Sequence, residues 1–104
     1  MAVKKLVFGV GINDADYPTH SCKFYIRWHS MIRRCYSPVY QKSGPAYKGC
    51  VVCEDWLRFS NCKSWMERQD WEGKHLDKDI LGNGKLYSPE TCCFILPPVN
   101  LFLI

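Results

Sequence analysis

The chain predicts an α+β domain, and three observations carry that class. Apolar residues recur at helical spacing in two separate segments before residue 70. Beyond residue 73, two short apolar runs are joined by a polar, glycine-bearing loop, which is the pattern of two strands and a connection. At 104 residues the chain makes one small domain, residues 1–104, whose core hides about two-thirds of the unfolded surface. Its 14% aromatic content suits such a core, because each ring buries a large area.

Taken in order, residues 5–10 give a brief strand candidate, and Asn13-Asp14 and Tyr17-Pro18 mark the loop that follows. Thr19 or Ser21 is placed to cap a helix. Along that helix Phe24, Tyr25, Trp28, Met31, Ile32 and Cys35 alternate steps of three and four. Lys23, Arg27, His29, Arg33 and Arg34 fall on its other side. Ser37-Pro38 ends the helix near Tyr36, since the residue before a proline is pushed out of helical geometry. Residues 37–46 are expected to be loop, and residues 47–53 a strand centred on Val51 and Val52. Glu54-Asp55 introduces a second helix bearing Trp56, Phe59, Cys62, Trp65 and Met66, which stops by Gln69-Asp70. Trp71-Glu72-Gly73 forms the turn out of this helical scaffold, residues 20–70.

The last unit, residues 73–104, is expected to run strand, loop, strand, helix. Side chains two apart on a strand share a face, so His75, Asp77 and Asp79 stand together. Gly82-Asn83-Gly84 makes a turn needing positive φ. Ser88-Pro89-Glu90 makes another, and residues 91–96 return as the second strand. Pro98 suits the first turn of a short helix, with Asn100 inside it.

The formal net charge of +4 permits contact with nucleic acid without demanding it. Arg27, Arg33 and Arg34 are the candidate phosphate contacts, with a plainly solvated face as the alternative. Seven cysteines are an odd number and cannot all pair within the chain. No leader pattern and no membrane-length apolar run is present, so reduced thiols and a cytoplasmic location are expected, with no membrane partner. Cys50 and Cys53 form a CxxC, but the other cysteines offer only the adjacent pair Cys92-Cys93, whose side chains diverge on a strand. Small buried thiols are therefore expected rather than zinc.

Several residues recur in a recognisable order: Trp28, Met31, Arg34-Cys35-Tyr36, Tyr47, Val52-Cys53-Glu54-x-Trp56, Leu76-Asp77, Tyr87-Ser88-Pro89-Glu90-Thr91-Cys92, Phe94 and Asn100. This order resembles the HNH endonucleases, the ββα-metal fold, as found in many bacteriophage proteins. The resemblance implies helices packed around a ββα unit and a nuclease acting on double-stranded DNA with a divalent metal, Mg or Mn. By position it makes Asp77 and Asn100 metal ligands and Asn83 a loose match to the loop residue that orients the catalytic base. It implies a location in the host cytoplasm if the chain is phage-encoded.

Two departures from the family pattern bear on function. The family's general base is a His directly after the Asp, and this chain has Lys78 there, an ammonium at its ordinary pKa that takes no proton. Catalysis is then lost, or passes to His75 on the Asp77 face, or proceeds slowly through metal-bound water or a substrate phosphate. The family helix also continues with basic residues, whereas here Leu101-Phe102-Leu103-Ile104 follow and call for the core or a partner surface. Both departures raise an alternative function: a scaffold that binds nucleic acid or a host protein without cutting.

Overall fold

The first long helix, α1 (Lys23–Tyr36), organises the molecule, a computed structural model in which residues 6–43, 49–78 and 84–96 are described. Trp28, Met31, Ile32 and Cys35 are buried along one stripe of α1, as the spacing predicts. The cap differs from expectation. Cys22 is the N-cap, without a side-chain bond, and Thr19 contributes only its carbonyl, which accepts from the Cys22 N–H at 3.0 Å.

Residues 38–43 are helix rather than loop. Ser37 closes α1 and opens α2 (Pro38–Ser43): its hydroxyl accepts from the Tyr40 N–H at 3.3 Å and its carbonyl from the Gln41 N–H at 2.9 Å. A serine N-cap followed by proline in the first helical position is a start signal as well as a stop.

The segment at residues 6–11 is a tight turn, not a strand. Val7 and Gly11 exchange backbone bonds of 2.8 and 2.9 Å around Phe8 and Gly9, both at positive φ. Gly11 admits no side chain, because a Cβ there would stand 2.9 Å from the Trp28 ring. Asp14 reaches from the following loop to the second helix, α3 (Phe59–Glu67), and accepts from the Ser60 N–H at 2.9 Å. Burial alone would raise the Asp14 carboxyl, but the Ser60 hydroxyl and N–H hold it below the usual carboxylate range. It acts as a cap supplied from 46 residues away.

The strand expected at residues 47–53 is only β1 (Val51–Val52), and Tyr47 lies outside the described residues. The Val52 N–H donates to the Tyr36 hydroxyl at 3.0 Å, tying β1 to the end of α1. A single 3₁₀ turn, Glu54–Leu57, leads to α3. Trp56, Phe59, Cys62, Trp65 and Met66 are all buried, so the second apolar stripe holds even though two helical elements share it.

Beyond α3 come β2 (His75–Asp77), β3 (Leu86–Tyr87) and β4 (Cys93–Ile95). β2 and β4 pair antiparallel, with His75 opposite Ile95, Leu76 opposite Phe94 and Asp77 opposite Cys93. These are the two expected strands, the second one shorter than residues 91–96. β3 falls where loop was expected, and pairs in parallel with β1. The Ser88-Pro89-Glu90 turn is present: the Thr91 and Cys92 N–H groups donate to the Ser88 carbonyl at 3.2 and 3.0 Å. Asp79, Asn83, Asn100 and the apolar end at residues 101–104 lie outside the described residues, as does the helix expected after β4.

The result is a small α+β domain. One core joins α1, α3, Trp56, Tyr87 and Cys92. Among the described residues, no helix is long and apolar enough to cross a membrane.

Candidate functional site

An open cleft of about 510 Å³ lies between α1 and the β2–β4 pair. Arg27, Ser30 and Arg34 form one wall, and Lys74, His75, Leu76 and Asp77 the other. The α1 residues follow from helix geometry: positions three, four and seven apart return to one face. That face adjoins the buried stripe, so the arginines flank the core rather than oppose it.

β2 is held in place by its central residue. Leu76 lies opposite Phe94, and the Phe94 ring stacks on Trp65 at 5.8 Å and 22°. His75 and Asp77 flank Leu76 and border the cleft, His75 exposed and Asp77 half-buried.

Arg27 is fixed rather than free to sweep the cleft. Its guanidinium donates to the Lys23 carbonyl at 3.1 Å and to the Lys74 carbonyl at 3.2 Å. It lies 5.2 Å from the Trp71 ring and 5.9 Å from Phe94, within cation–π range of both. Trp71 is braced edge-on against Phe24 at 4.6 Å. Lys74 is ion-paired with Asp70. The cleft thus sets Arg27 and Arg34 on the wall facing Asp77, and an anion entering it meets positive charge on the α1 side.

The structure brings together four of the expected site residues: Arg27, Arg34, His75 and Asp77. It places two elsewhere. Arg33 does not line the cleft; it is exposed, with its guanidinium 5.0 Å from the Tyr40 ring of α2. One residue step along a helix turns a side chain by 100°, so neighbouring arginines diverge. Lys78 does not line the cleft either. It is only 5% exposed, and its ammonium sits 5.6 Å from the Tyr87 ring. Asn83 and Asn100 lie outside the described residues. Ser30, Lys74 and Trp71 were missed, although the spacing of Ser30 between Arg27 and Arg34 was a readable signal for one of them.

Four of the thiols, Cys35, Cys50, Cys62 and Cys92, are buried in the core, and Cys22, Cys53 and Cys93 are half-buried. All seven cysteines are unbridged. Burial, then the neighbouring Cys50, pushes the Cys35 thiol up to about 12, while the Lys78 charge pulls the other way. Burial likewise pushes Cys92 up to about 11, with the Asp77 carboxylate adding to the effect. Thiols so raised stay protonated and unreactive at neutral pH. Among the described residues, no three His, Cys, Asp or Glu side chains gather as a metal donor set. Asp77 remains a hard oxygen donor at the cleft, of the type that Mg or Mn prefers.

No known family, curated protein or solved structure matches this chain.

Proposed function

We propose that the chain is an HNH-type, metal-dependent DNA endonuclease that nicks its substrate slowly. The observation that carries this reading is the cleft itself, which sets His75 and Asp77 on one wall against Arg27 and Arg34 on the other. Arginine suits phosphate because its planar fork donates two parallel bonds. A divalent ion held by Asp77, together with Asn100, would supply charge stabilisation for the departing oxygen. Arg27 and Arg34 bind and orient the backbone. His75, one strand repeat from Asp77 on the same side of β2, takes the proton from the attacking water. Lys78 takes no part, since its ammonium is buried against Tyr87.

A second reading rests on that same buried lysine. With the family's base position withdrawn into the core, the cleft would hold DNA without cutting it.

Plasmid relaxation with Mg or Mn separates the two. Under the first reading the wild type nicks supercoiled plasmid, Asp77→Ala falls to background, and His75→Ala is slower by roughly 10²–10⁴-fold. A wild type that binds DNA in a salt-dependent manner but leaves it intact in both metals supports the second reading. A wild type that neither nicks nor binds overturns both.

A further inference from the structure

The cleft does not end at Ser30. Ile26 and Ser30 also border a smaller hollow of about 230 Å³, shared with His20, Tyr25 and His29. His29 in turn borders a hollow of about 480 Å³ beneath the turn that carries Phe8. The three hollows follow one another along α1 through these shared residues, with Arg27 and Arg34 at one end and the rings of Tyr25, His29 and Phe8 at the other.

Phe8 is the unusual residue of the aromatic end. Its φ is +51°, a conformation that a bulky residue rarely adopts. Such strain persists only where the surroundings enforce it. Here the Val7–Gly11 bonds enforce it. The outcome is not burial, because Phe8 remains 37% exposed. It meets His29 at 5.1 Å between ring centres, and His29 meets Tyr25 at 5.8 Å. Burial and the nearby Arg33 hold the His29 imidazole below its ordinary range, so at neutral pH it is an uncharged ring beside two others.

We propose that this run of hollows is a track for single-stranded DNA, with backbone phosphates on Arg27 and Arg34 and an unpaired base stacked on Phe8. A row of aromatic faces continuous with a cationic channel is the combination that grips a single strand: charge follows the backbone, and rings accept bases of any identity. A base within a duplex has its faces covered by its neighbours and cannot stack there. An apolar peptide would fit the Phe8 end but would gain nothing from Arg27 and Arg34. The proposal deepens the DNA reading of the cleft and rests on it for the cationic end. In terms of substrate, it assigns the site to DNA with unpaired nucleotides beside the bond it acts on.

The test is fluorescence anisotropy with labelled oligodeoxythymidine, without divalent metal, so that cleavage plays no part. Phe8→Ala and Phe8→Leu should each weaken binding about tenfold, the effect of losing one base–aromatic stack, while Phe8→Tyr stays near wild type. The Phe8 variants should keep the wild-type salt slope. Arg34→Gln should lower that slope by about 0.7, the value for one lost phosphate contact on a single strand. An abasic residue at the stacked position should weaken the wild type and leave Phe8→Ala unaffected. Unchanged thermal melting of the Phe8 variants confirms that their fold is intact.

If Phe8→Ala binds as well as wild type while Arg34→Gln is weakened, the aromatic track is wrong and the cationic cleft stands. If the wild type binds duplex plasmid but no oligodeoxythymidine, the track falls and the DNA reading of the cleft stands; if it binds neither, both fall. Equal affinity for blunt duplex with no Phe8 dependence overturns the single-strand assignment, and tighter binding of oligouridine overturns the assignment to DNA.

Discussion

Replacing Trp28 with alanine should destabilise the domain by about 3–5 kcal/mol, the usual loss for a buried indole. Domains of this size are stable by about 5–15 kcal/mol, so the variant would sit near the edge of folding. Trp28 has no exposed surface. Its ring packs 5.4 Å from Phe59 and 5.5 Å from Tyr25, and against Gly11. Its indole N–H donates to the Trp56 carbonyl at 2.7 Å, across 28 residues of chain. The substitution therefore removes the packing of three segments at once and leaves a buried carbonyl without its donor. Trp28→Phe separates these two effects. It keeps much of the volume and loses the bond, for an intermediate cost of about 1–3 kcal/mol. Urea unfolding followed by circular dichroism measures both variants, with melting temperature falling roughly 4–8 °C per kcal/mol. A Trp28→Ala midpoint close to wild type would mean that the ring is not the centre of the core.

Trp65→Ala should cost a similar amount, about 3–5 kcal/mol, but with a different distribution over the molecule. Trp65 stacks on Phe94 on one side and lies 4.9 Å from Trp56 on the other. Phe94 is the β4 partner of Leu76, the residue between His75 and Asp77. The indole is thus the link between the helical core and the wall of the cleft. Amide hydrogen exchange should show β2 and β4 losing more protection than α1, as a locally opened unit does. Trp65→Phe, which preserves a stacked ring, should recover most of that protection. Uniform loss over the whole chain would show instead that the strand pair is supported by something other than Trp65.

The helical part of the fold was legible because its signal is local. The α1 stripe and the apolar residues from Trp56 to Met66 follow helical spacing; Trp28, Met31, Ile32 and Cys35 and the whole second set are buried, while Phe24 and Tyr25 at the start of α1 are partly so. The parts that were not legible depend on distant partners. β3 is two residues long and exists only because β1 lies beside it. The turn at Phe8 reads as a strand because its residues are apolar, and the positive φ that bends it leaves no compositional mark except Gly9. The strand face of His75 and Asp77 was readable from period two, and the cationic side of α1 from helical spacing only in part, since Arg33 turns away from Arg27 and Arg34. That those two faces meet in one cleft was not, since no residue pattern encodes the approach of α1 to β2. Lys78 is the clearest case of tertiary context overriding composition. A lysine within a run of charges reads as exposed, yet its neighbours Tyr87 and Cys35 place it inside.

The two strand pairs are interleaved along the chain: β1 joins β3 while β2 joins β4. Neither pair is a local hairpin, and neither can zip from a nearby turn. Closing β1 onto β3 fixes a loop from Val51 to Leu86, at an entropic cost of about 3 kcal/mol from chain length alone. Only two residue pairs on that ladder repay it, so the helical core must form first and bring the ends together. The Asp77 strand lies inside this loop and its partner outside it. The cleft therefore has no partly assembled precursor: during synthesis it appears only after residue 95 has emerged, and in denaturant binding should vanish in the same transition as the fold.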